Sequence, residues 1–141
     1  MVEEKELQEK ILVFRLLESR FENMVKQRDV LASKIVELQI TLNTIDEMKT
    51  GDDVLFSLGS SAYAKGKLSD KNKIIVEVGA GVVLEKGLDE AKQILSSRAN
   101  EIQRVLMKIQ RELTEISSEL ERLEPEIQQI ADEMNKKSEA R

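Results

Sequence analysis

The chain has 141 residues, of which 35% are charged and only 3% aromatic; its formal net charge is −5, and cysteine and histidine are absent. Such a composition lacks the large apolar side chains of an ordinary globular core and supplies helix formers instead. It excludes disulfides, thiolate zinc sites, a cysteine nucleophile and the usual general base near neutral pH, and without a run of Lys and Arg it opposes nucleic-acid binding.

No apolar run approaches the roughly 20 residues of a membrane span, so a soluble, cytoplasmic protein is expected. Catalytic residues, metal ligands and a cofactor site are not expected.

Residues 7–48 carry a heptad seam, with Leu7, Phe14, Phe21, Ile35 and Leu42 at a positions and Leu17, Met24, Leu31, Leu38 and Ile45 at d positions. Lys10 and Arg28 interrupt the seam; their long stems can line it while the charge reaches water. Gly51, after Thr50, suits a helix C′ position, which gives a first helical region over residues 1–50. Within it, Ile11-Leu12-Val13-Phe14 and Leu16-Leu17 surround the helix with more apolar surface than one partner helix covers.

Over residues 51–87 the period changes. Residues 53–58, 61–68, 73–78 and 82–86 favour strands, separated by Gly59-Ser60, Ser69-Asp70-Lys71-Asn72 and Gly79-Ala80-Gly81, which predicts two successive hairpins. Gly79-Ala80-Gly81 after Val78 has the opening of a dinucleotide-binding turn, yet Leu84 stands where the third glycine belongs and no βαβ unit fits, so it reads as a hairpin turn. Asp52-Asp53 and the scattered glutamates read as solvated charge rather than metal ligands.

The region over residues 88–141 repeats more cleanly. Ala99, Leu106, Leu113, Leu120, Ile127 and Met134 alternate with Leu95, Ile102, Ile109, Ile116, Leu123 and Ile130, and Asp89 and Glu90 suit the first turn of a helix reaching about Lys137. At about 1.5 Å per residue each helix would be roughly 70 Å long and could not bury its stripe alone. Folding back as an antiparallel pair buries both seams, with Arg20 placed to meet Glu112 or Glu119.

If Met48 faces Leu88, Ile11 lies opposite Pro125, where a lost hydrogen bond should kink or loosen the second helix. The far end is then expected to splay and expose Ile11, Leu12, Val13, Phe14, Leu16 and Leu17 with Ile127, Ile130 and Met134, either as a surface for apolar partners or as residues that stiffen the tip or pack against another subunit. Two hairpins with so few large side chains cannot form a core alone. Val54, Leu55, Phe56, Leu58, Ile74, Val76, Val78, Val82 and Leu84 should therefore meet other subunits in a shared sheet or barrel. The fold class is mainly α: one domain, an antiparallel two-helix coiled coil with two central β-hairpins that join an oligomeric β-barrel.

Helix, two hairpins, helix, with Val54-Leu55-Phe56-Ser57-Leu58-Gly59 opening the centre, Val76-Glu77-Val78-Gly79-Ala80-Gly81 closing the third strand, and Val82-Val83-Leu84-Glu85-Lys86 running on to Asp89-Glu90-Ala91, resembles the archaeal prefoldin alpha-subunit family. The resemblance implies a hexamer of two alpha and four beta subunits, with the hairpins forming a double β-barrel above six coiled coils. It further implies ATP-independent capture of unfolded polypeptides at the coiled-coil tips and delivery to a group II chaperonin. A structural coiled-coil scaffold without chaperone activity is the competing expectation.

Overall fold

The computed structural model describes residues 2–140. In chain order the elements are α1 (Val2–Glu47), β1 (Asp53–Gly59), β2 (Ala62–Lys67), β3 (Lys73–Gly79), β4 (Val82–Gly87) and α2 (Leu88–Glu139). They gather into two compact units: residues up to Ala32 with those from Arg104 onward, and Ser33–Gln103.

In the first unit the two helices run antiparallel, as the opposed numbering of their ion pairs shows: Glu3 with Lys137 at 2.5 Å, Lys10 with Glu126 at 2.7 Å, and Arg20 with Glu112 at 3.4 Å. The second of these is the register that follows from setting Met48 against Leu88. The core is the heptad seam: Met24, Ile109, Leu113 and Ile116 are buried, with Leu17, Phe21, Val25, Leu31 and Leu120 packed around them. Each such side chain contributes roughly 1.5–3 kcal/mol on burial, whereas the ion pairs lie at the helix surface and mainly set register.

α2 runs through Pro125 without a break. The expected splaying at this end does not occur: Leu123 just before the proline is buried, and Glu3 still meets Lys137 near the ends of both helices. Buried Leu123 before Pro125, half-buried Ile127 after it and the Lys10–Glu126 bond beside it hold the turn that proline weakens.

In the second unit, Leu38 and Ile45 of α1, Leu95 of α2 and Val76 of β3 form the buried cluster, with Leu42, Met48, Ile74 and Leu88 against it. α1 ends at Glu47, so Gly51 is not its C′ residue; Gly51, at φ +90°, instead turns the chain into β1. There the Lys49 N–H donates to the Asp52 carboxylate, and the Gly51 N–H donates to the Leu68 carbonyl.

The four strands make two separate antiparallel pairs, β1 with β2 and β3 with β4, and no sheet joins them among the described residues. In both hairpins the two residues at the tip have positive φ, Ser60 and Ser61 in the first and Ala80 and Gly81 in the second, which matches the right-handed twist of the strands. In the first hairpin the Phe56 ring lies over Gly66, where a Cβ would collide with it. The hairpins differ in anchorage. Val76 and Ile74 tie the second into the cluster, whereas no β1 or β2 residue belongs to it.

Candidate functional site

The second unit has a shallow cleft lined by Lys34, Glu37, Thr41, Arg98 and Glu101, charges of both signs on the helix surfaces. Among the described residues no three acids gather in a metal-binding cluster, and no helix is long and apolar enough to cross a membrane. Two groups, Glu126 and Arg122, titrate away from their ordinary values, and both belong to one helix-surface network. The Lys10 hydrogen bond holds the Glu126 carboxyl below its usual range, and the Glu119 hydrogen bond raises the Arg122 guanidinium. Such shifts stabilise charges on paired helices and arm no nucleophile or base.

What the surface does present is grease, at the Ile11–Leu17 end and on the hairpins among other places. In the first unit Leu12, Val13 and Leu16 are exposed at 59%, 46% and 61%, because they occupy helix positions turned away from α2. Ile11, Phe14 and Leu17 lie on the paired side and are half-buried, Leu17 against the seam core; Ile127, Ile130 and Met134 are half-buried on α2. Of the nine residues expected at this end, three are thus fully available and six are shared with the helix pairing.

The second apolar surface is on the hairpins. Leu55, Phe56, Leu58, Val78, Val82 and Leu84 are exposed, Val54 and Ile74 half-buried, and Val76 is buried in its own chain's cluster. Strand alternation explains the division: Ile74 and Val76 point to one face of β3 and Ile75, 72% exposed, to the other. The outer edges of all four strands lack a hydrogen-bonded neighbour among the described residues, and an unpaired edge beside exposed β-branched side chains is a template for another strand.

Sequence reasoning centred on the seam missed Val30, Val36, Ile40, Val105 and Met107, all exposed. The signal was present in their heptad positions, which lie off the a and d seam.

A family model described as Prefoldin subunit matches residues 17–133. Prefoldin subunit alpha of Archaeoglobus fulgidus is 30% identical over 108 residues, which are 73% of this chain and 77% of that protein. Prefoldin subunit alpha of Pyrococcus horikoshii is 27% identical over 108 residues, 74% of this chain and 73% of that protein. Among solved structures, a filamentous PFD from Methanocaldococcus jannaschii superposes with a TM-score of 0.68 at 21% identity, over 78% of this chain and 93% of that one, and so has the same fold.

Proposed function

The chain belongs to the prefoldin family, and from that premise we propose that it is an alpha-type subunit of a cytoplasmic, ATP-independent holdase. Two such chains would assemble through their hairpins with four beta-type subunits into a shared β-barrel. The assembly would capture unfolded polypeptides at the ends of its coiled coils and pass them to a group II chaperonin. Neither a cofactor nor a catalytic step enters this reading.

The observation that carries it is the exposure of Leu12, Val13 and Leu16 beside half-buried Ile11, Phe14, Ile127, Ile130 and Met134. Non-native chains expose apolar segments that otherwise associate with one another, and several weak apolar contacts on one assembly hold them by avidity rather than by a deep pocket. Release then needs only exchange for the chaperonin's contacts. The hairpins support the assembly half: exposed apolar faces and open edges are what a partner subunit covers.

The test is aggregation of a denatured client in the presence of the assembled protein. Replacing Leu12, Val13 and Leu16 together by Ser should abolish suppression and leave the helical circular dichroism and the assembly mass unchanged. Full suppression by the triple variant would remove the tip reading, and no suppression by the unsubstituted protein would favour a scaffold.

A further inference from the structure

A second apolar groove lies between the helices of the first unit and adjoins the Ile11–Leu17 end at Leu16. Val30 and Leu31 of α1 face Val105 and Ile109 of α2, and the groove continues along α1 past Gln27 and Asn23. Val30 is 68% exposed and Val105 46%, so the pairing of α1 with α2 leaves both uncovered. Neither belongs to the seam or to the buried cluster of this unit.

The charge around this groove runs against that of the protein. The chain carries −5 overall, yet residues 104–111 hold Arg104, Lys108 and Arg111 with no acid. Residues 20–32 add Arg20, Lys26 and Arg28 against only Glu22 and Asp29. Asp29 is bonded to Arg28 and Glu112 to Arg20, which leaves Lys26 and Lys108 on the rim without an ion pair among the described residues. No basic run stands out in the linear sequence because the cations are divided between two helices far apart in the chain; antiparallel pairing brings them together.

We propose that this groove is a second polypeptide-binding site, selective for apolar segments flanked by Glu or Asp. It rests on the client-capture reading and deepens it by naming a class of client. An apolar floor with cationic edges takes an amphipathic segment in which aliphatic side chains cover Val30 and Val105 while carboxylates meet Lys26 and Lys108. From Leu16 to Val30 the α1 side of the groove extends about 20 Å at 1.5 Å per residue, enough for roughly four turns of a docked helix. The apolar contacts supply affinity, and the lysines supply the preference and the association rate.

The test uses the full chain and two fluorescently labelled amphipathic peptides identical in their leucine pattern, with Glu at every polar position in one and Lys in the other. By anisotropy titration the Glu peptide is expected to bind about five- to tenfold more tightly, a preference that shrinks as salt is raised. K26E/K108E should abolish or reverse the preference, and V30S/V105S should weaken both peptides. Equal binding of the two peptides, or a preference that survives K26E/K108E, overturns the proposal. So does a labelled single-stranded oligonucleotide that binds more tightly than the Glu peptide, or a self-association that V30S/V105S removes, because the occupant would then be nucleic acid or a second copy. A Leu12→Ser/Val13→Ser double variant, which leaves the groove residue Leu16 in place, separates the two sites when tested in parallel. If it loses aggregation suppression while the peptides bind equally, the groove proposal falls alone; if it keeps full suppression while the lysine-dependent preference is measured, the tip reading falls and the groove stands.

Discussion

Glu126 accepts a hydrogen bond from Lys10 on the opposite helix and lies one turn beyond Arg122, and these cations hold its carboxyl below the ordinary value of 4.5. A carboxyl whose folded value is depressed contributes stability that is fully present above its unfolded value and is lost as pH falls through the folded one. The difference in urea midpoint between the wild type and Glu126→Gln should therefore be constant near neutral pH and shrink once pH drops below 4.5. A difference that grows on acidification would contradict this assignment. Strain is stored at a second residue pair. Ser60 and Ser61 sit at φ 47° and 65°, where a side chain costs roughly 1–2 kcal/mol relative to glycine. Replacing Ser60-Ser61 by Asn-Gly should stabilise the first hairpin by about 1 kcal/mol, read as slower amide exchange across β1 and β2, since this sequence favours the same turn. Faster exchange would mean that the serines make compensating contacts.

The two helices divide their labour. α2 confines its large apolar side chains mostly to the seam, and Ile109, Leu113, Ile116 and Leu123 are all buried, whereas α1 carries exposed Leu12, Leu16, Val30, Val36 and Ile40 as well as its seam. α2 therefore acts mainly as the structural partner and α1 presents surface. Pro125 belongs to this scale: it withholds one N–H from the ladder of a helix that is otherwise regular over 52 residues. Pro125→Ala should restore that bond and raise stability by up to about 3 kcal/mol, measured by urea unfolding. No gain, or a loss, would show that the turn at Pro125 has relaxed around the proline in a way that alanine disrupts.

For the molecule as a whole the governing imbalance is between hairpins that expose apolar faces and a chain that supplies no cover for them. Leu55 and Ile75 are 65% and 72% exposed and lie outside the buried cluster, so charging them costs the isolated chain little. In an assembled sheet the same positions would be covered, and an unpaired charge there would be expensive. Leu55→Lys with Ile75→Lys should leave the helical signal of the chain intact and reduce its assembly with other prefoldin subunits, as seen by sedimentation velocity. Unchanged assembly would mean that other faces of the hairpins carry the contacts.

The element order, the two hairpins and the helix-to-helix register were legible in the sequence, because heptad spacing, strand alternation and glycine-rich turns are local signals that act over a few residues. Leu55, Phe56 and Leu12 could be marked as surplus apolar residues for the same reason. Other features depended on contacts between distant residues: that Val76 would be withdrawn into its own chain's core while Ile75 stayed outside, that seam packing and the Lys10–Glu126 bond would hold the helix together across Pro125, and that Gly51 would serve the turn rather than end α1. The basic groove is the plainest case. Lys26 and Lys108 are unremarkable in sequence, and only the antiparallel pairing of α1 with α2 sets them on the rim of one apolar surface, since a charge cluster is a property of space rather than of chain order.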